Sequence, residues 1–142
     1  MTRFFDASAI VGAYAQQANS AHIRRLLAAE HVAVSRLTEV EVVSAFARLA
    51  RESAVSDDRR DDMTAAFLAD LDGWVVVDMG TEVTARARRL LVHHALRAGD
   101  AIQLASALVL ESRVAGALDA FVASDRRLLE AASREHLPVT EG

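Results

Sequence analysis

Four carboxylates stand where acids could act together on a charged substrate: Asp6 in FFDAS, Glu41 in SRLTEVEVVSA, Asp100 in RAGDAIQLASAL and Asp125 in FVASDRRLL. Carboxylates brought together repel and raise one another's pKa unless a cation neutralises them. An all-oxygen donor set suits the hard divalent ions Mg²⁺ and Mn²⁺ rather than Zn²⁺ or copper. Such an ion activates water, orients a phosphate and stabilises the leaving oxygen of an in-line attack. The chemistry this set predicts is therefore phosphoryl chemistry. Each acid also has a simpler reading. Thr38-x-x-Glu41 has the spacing of a capping box, Asp100 and Asp125 are common N-cap residues, and Asp6 with Ser8 fits an Asx-type turn opening a helix. Caps are equally served by Ser, Thr or Asn, yet all four positions are carboxylates.

For these acids to meet, the elements carrying them must end on one edge. Short, mostly apolar runs at Arg3–Phe5, Val32–Ser35, Trp74–Asp78, Ala120–Ser124 and Pro138–Thr140 read as four or five strands. They do not alternate with polar residues, which suits strands buried on both faces of a parallel sheet. Helical spacing lies between them, as in Ala101, Leu104, Ala105 and Leu108, and in Val42, Phe46 and Leu49. Two helices between successive strands would fill the gaps from Asp6 to His31 and from Thr38 to Gly73. Strands alternating with helices predict βαβ units and a sheet covered on both sides. In such a sheet, strand C-termini and the following helix N-termini share an edge where ligands bind. Asp6, Glu41 and Asp125 come off strands toward that edge. Asp100 heads a helix that joins them if its N-terminus points the same way. The run DDRRDD at 57–62 reads as a solvated helix start or inter-helix corner.

The composition narrows the alternatives. A chain of 142 residues, 52% hydrophobic and 25% charged, fits one globular domain spanning 1–142 that needs no disulfide or structural metal to fold. The absence of Cys removes thiol nucleophiles, zinc knuckles and Fe–S clusters. No apolar run is long enough to span a membrane, and Asp6 falls where a signal peptide would need an apolar core, so a cytoplasmic location is expected. The net charge of −4 argues against gripping nucleic acid by bulk charge, though bound cations change the local sign. No dinucleotide or Walker loop occurs, and no GxSxG or serine triad context surrounds Ser35, Ser44 or Ser106.

The segments FFDASAIVGAY, VSRLTEVEVVSAFAR, LRAGDAIQLASALVL and FVASDRRLLEAA, in this order and over essentially the whole chain, resemble the PIN-domain ribonucleases, and within them the VapC-type toxins of toxin–antitoxin pairs. The resemblance implies a PIN-like three-layer α/β/α sandwich around a central, mostly parallel sheet of four to five short strands. It implies a Mg²⁺-dependent endoribonuclease, with Mn²⁺ able to substitute, whose metal-binding and catalytic acids are Asp6, Glu41, Asp100 and Asp125. It further implies structured RNA such as tRNA or rRNA as substrate, a small cognate antitoxin as partner, and a homodimer. Glu39 competes with Glu41, but Glu41 has the family's Thr-x-x-Glu register. Ser8 matches a small hydroxyl residue that could hold Asp6 or a metal-bound water, or simply cap a turn.

Other residues have two readings. Arg97, Arg126 and Arg127, beside the acids, could hold substrate phosphates or be solvated helix-face residues. His93 and His94 point about 100° apart on a helix and lack a third ligand at a usual spacing. Trp74 reads as a core or interface anchor, and the apolar residues of 42–71 as core or as a surface for a dimer mate or antitoxin helix. An alternative class remains: a PIN-like binding or regulatory module without nuclease activity. A haloacid-dehalogenase-type phosphatase would need a second Asp at position 8, which is Ser, and a receiver domain needs a Lys, of which the chain has none.

Overall fold

The computed structural model describes residues 2–15, 20–29, 31–116 and 118–142. The strands are β1 (Thr2–Phe5), β2 (His31–Ser35), β3 (Val75–Val77), β4 (Leu118–Ala123) and β5 (Val139–Glu141). The helices are α1 (Ala7–Tyr14), α2 (Ser20–Ala29), α3 (Arg36–Arg51), α4 (Asp57–Leu71), α5 (Thr81–His93), α6 (Ala98–Arg113) and α7 (Arg126–Arg134). The strands form one sheet in the order β3-β2-β1-β4-β5, and every adjacent pair is parallel. All five predicted strands are present, each within two residues of its expected start. The predicted helix pairs fill the gaps after β1 and after β2, and a third pair, α5 and α6, joins β3 to β4.

Side chains of a strand alternate between its faces, and over the central strands β1, β2 and β4 both faces are covered. Phe4, Ala33, Phe121 and Ala123 point into one core with α5, α6 and α7. Phe5, Val32, Val34, Ala120 and Val122 point into the other, with α1 to α4. The result is the three-layer sandwich expected, with β1, β2 and β4 apolar because neither of their faces meets water, whereas Val75 and Val139 of the edge strands are exposed. Phe4 stacks on Phe121 across the β1–β4 pair at 5.7 Å between ring centroids. On the opposite face Phe46, Phe67 and Tyr14 meet edge to face, and the Tyr14 hydroxyl donates to Asp70, tying α1 to α4.

The charge run 57–62 opens α4 behind the N-cap Ser56, whose hydroxyl accepts from the Arg59 amide at 3.0 Å. Trp74 sits just ahead of β3 rather than within it and packs on Phe67 at 6.1 Å. Among the described residues, no helix is long and apolar enough to cross a membrane.

The order of strands matters for function. The chain winds outward from β1 through β2 to β3, then crosses back to place β4 on the other side of β1. The point of reversal therefore lies between β1 and β4, and the crevice outside their C-terminal ends is where ligands of open α/β sheets bind. Helices α1 and α7, which leave β1 and β4, lie in opposite layers and open that crevice between them.

Candidate active site

Asp6 follows β1 directly, and its amide continues the sheet by donating to the Val122 carbonyl of β4 at 2.9 Å. It is the N-cap of α1, so the Asx-type turn is present: its Oδ2 accepts from the Ser8 amide at 3.2 Å and the Ser8 hydroxyl at 2.5 Å. Only 4% of Asp6 is exposed. Burial pushes its carboxyl up to about 6, against the pull of the two Ser8 hydrogen bonds, and the charges of Asp100 and Glu41 push in the same direction as burial. A cap alone gains nothing from such company.

Glu41 comes from α3, and here the capping box is corrected. The helix starts three residues earlier than Thr38, with Ser35 as N-cap accepting from the Leu37 amide at 3.1 Å. Glu41 therefore lies in the second turn, beyond reach of the orphan amides a capping box satisfies. Its partner is instead Gln103 of α6, whose Nε2 donates to Glu41 Oε1 at 2.8 Å and to the buried Thr38 hydroxyl at 2.9 Å. The other carboxylate oxygen, Oε2, lies only 3.2 Å from where a Cβ on Gly99 would stand. Gly99 and Gln103, one helical turn apart on α6, thus seat Glu41 from both sides. Glu39 faces outward and pairs with Arg36 at 3.1 Å, which in turn reaches Asp78 at 2.9 Å.

Asp100 is the third residue of α6 rather than its N-cap; Arg97 holds that place without a side-chain cap. The carboxyl of Asp100 is half-buried and raised above the ordinary range, first by burial, then by the charges of Asp125 and Glu41, with Arg97 opposing. Asp125 does cap: its Oδ1 accepts from the amides of Arg127 at 2.8 Å and Leu128 at 3.4 Å at the start of α7. It is exposed on the rim of the crevice.

The four acids therefore form one electrostatic set. Asp6 feels Asp100 and Glu41, and Asp100 feels Glu41 and Asp125. Among the described residues, however, no three His, Asp or Glu side chains are disposed to close round a metal ion as they stand. Arg97 and Arg127 line the same shallow cavity as Asp100 and Asp125. His94 is used elsewhere, paired with Glu135 at 3.1 Å.

Gln103 and Gly99 were not singled out from the sequence. A signal was present: one amide inside the apolar run AIQLASALVL is a buried polar group that must find a partner. Gln103 Oε1 is itself buried with no partner among the described residues, so the side chain is held by its nitrogen alone.

The PIN domain family model matches residues 3–133. No curated protein matches the sequence. Among solved structures, VapBC2 from Rickettsia felis, bound to a DNA fragment from its promoter, superposes with a TM-score of 0.67 at 12% identity, covering 99% of this chain and 98% of that one. A toxin–antitoxin complex from Klebsiella pneumoniae gives 0.62 at 17% identity, covering 87% and 86%. VapC20 from Mycobacterium tuberculosis, a sarcin–ricin loop cleaving toxin, gives 0.63 at 20% identity, covering 91% and 94%. At these identities the structural likeness is one of fold. The family match over most of the chain carries the assignment: this chain belongs to the PIN domain family.

Proposed function

We propose that this protein is a metal-dependent endoribonuclease that acts as the toxin of a toxin–antitoxin pair. The observation that carries the reading is the electrostatic coupling that links Asp6 to Glu41 and Asp100, and Asp100 to Glu41 and Asp125, at the reversal point of the sheet. Their donor chemistry fits Mg²⁺ or Mn²⁺: every donor is a carboxylate oxygen, and a divalent charge would offset the burial, and the lesser repulsion, that raise Asp6 and Asp100. When bound, the ion would supply Lewis-acid polarisation of a phosphodiester and activation of water.

The chain's own residues do the rest. Ser8 fixes the Asp6 carboxylate through Oδ2. Gln103 and Gly99 fix Glu41. Asp125 is oriented by the amides at the start of α7, which hold it at the rim. Arg97 and Arg127, beside these acids, can accept the scissile and neighbouring phosphates as bidentate donors. The neighbours from Rickettsia felis and Klebsiella pneumoniae, both toxin–antitoxin complexes, support a small antitoxin as partner, and the VapC20 neighbour supports structured RNA as substrate. By the family resemblance the working form is a homodimer.

The test is cleavage of total RNA by purified, antitoxin-free protein with Mn²⁺, wild type beside Asp6→Asn, with an EDTA control. Cleavage by wild type alone, stopped by EDTA, is expected. Cleavage that survives EDTA would remove the metal. The second reading, a PIN-like binding module without nuclease activity, draws on the absence of a ready-made metal shell among the described residues. It predicts no difference between the two proteins.

A further inference from the structure

Away from the four acids, Arg86, Arg89, Arg127 and Arg134 of the C-terminal half gather on one seam. Helical spacing sets Arg86, Arg89 and His93 along one face of α5, and Arg127, Glu130 and Arg134 along one face of α7. Three cavities join these faces end to end. The first is lined by Arg86, Arg89, His93 and Arg134. The second shares His93 and Arg134 with it and runs on past Leu96 to Arg127. The third shares Leu96 and Arg127 with the second and ends on Arg97, Asp100 and Asp125. The groove thus leads from the middle of α5 to the acid set, each cavity sharing residues with the next.

Its charge is opposite to that of the chain as a whole, which carries −4. Outside the site the groove carries two acids, Glu130 and Glu135, the latter bonded to His94, against the four arginines Arg86, Arg89, Arg127 and Arg134. Its floor is apolar, with Leu90, Leu96 and Ala131. By contrast, the α4–β3 region carries seven aspartates, Asp57, Asp58, Asp61, Asp62, Asp70, Asp72 and Asp78, against two arginines, Arg59 and Arg60. A row of guanidinium groups over an apolar floor is the chemistry that holds a phosphodiester strand: bidentate donors for phosphates, and apolar surface for sugars and unpaired bases.

We propose that the α5–α7 groove is the track along which single-stranded RNA reaches the acids, with Arg86, Arg89, Arg127 and Arg134 holding successive phosphates. The assignment rests on the nuclease reading and extends it to a binding surface.

The test uses a 5′-fluorescein-labelled, 12-nucleotide single-stranded RNA of mixed sequence and the full chain carrying Asp6→Asn, with Mg²⁺ present. Fluorescence anisotropy compares that parent with a groove triple, Arg86→Gln/Arg89→Gln/Arg134→Gln, and a control triple, Arg48→Gln/Arg51→Gln/Arg59→Gln, on exposed arginines of α3 and α4. Thermal melts establish that each variant is folded. The groove triple should bind at least about tenfold more weakly near 0.1 M salt, and its salt dependence should fall by roughly two counterions. The control should stay within about twofold of the parent by the same electrostatic reasoning. Equal losses in both triples would reduce the effect to net charge and overturn the track, as would no loss or a parent that does not bind. Cleavage of total RNA by the wild-type chain separates the two readings. Cleavage with unchanged binding in the groove triple removes the track alone, whereas groove-dependent binding without cleavage removes the nuclease and leaves an RNA-binding face.

Discussion

The Gln103 amide of α6 lies 2.8 Å from Glu41 of α3, 62 residues earlier in the chain, and the same nitrogen also holds Thr38. The contact joins two helices from opposite layers around the end of the sheet and makes the position of one site carboxylate depend on both.

Replacing Gln103 by Leu should therefore act on stability and activity together. Buried groups that lose a hydrogen-bond partner cost about 1–3 kcal/mol, so urea melts should show destabilisation in that range. Cleavage should fall further than the stability loss explains when both are measured well below the melting temperature. Normal activity in a destabilised variant would make Gln103 a packing residue only.

Gly99→Ala should separate the two effects. Alanine favours a helix over glycine by up to about 1 kcal/mol, while its Cβ would stand 3.2 Å from Glu41 Oε2 and push that carboxylate aside. The expected protein is as stable as wild type or more so, and about tenfold or more less active, in keeping with the rate cost of small misplacements. Kinetics beside a thermal melt decide it.

Asp6 carries a pH signature with a definite sign. Its folded carboxyl titrates near 6, above the ordinary 3.8, so the folded state holds the proton more tightly than the unfolded state. Its contribution is most favourable below pH 3.8 and is lost as pH rises toward 6, a penalty at neutral pH on the order of 3 kcal/mol. Without metal, Asp6→Asn should melt higher than wild type at pH 7.5, and the gap should close at pH 4. Added Mg²⁺ should raise the melting temperature of wild type more than that of the variant. A lower melting temperature for Asp6→Asn at pH 7.5 would contradict the burial penalty.

Asp125 caps α7 and faces the acids, and two substitutions part those roles. Asn keeps the cap and removes the charge; Ala removes both. Asp125→Asn should melt near wild type and lose activity, whereas Asp125→Ala should also lose about 1 kcal/mol of stability.

How much was legible in the sequence follows from how far each signal reaches. The strands were readable because a run such as Val32–Ser35 is apolar up to its closing serine and bounded on both sides by helical spacing. The acids at 6 and 125 were readable as caps because a cap bonds two or three residues ahead. The start of α3 was misplaced because Ser35 and Thr38 are both N-cap residues in SRLTEVE. What decides between them is Gln103, which claims Thr38 from 65 residues away. The same distance hid Gly99, whose small size matters only once Glu41 is packed against it.

The sheet order has a consequence for synthesis. β1 is translated before the other four strands of the sheet, yet it lies in the middle and takes β4, residues 118–123, as one of its two neighbours. A nascent chain can close the pairs among β1, β2 and β3, but Asp6 stays on an open edge, away from Asp125, until β4 has emerged and docked. Pairing of such distant segments is also the slow part of folding. A growing polypeptide therefore carries an unfinished centre until β4 has left the exit tunnel, and the four acids cannot assemble on a chain that still lacks it.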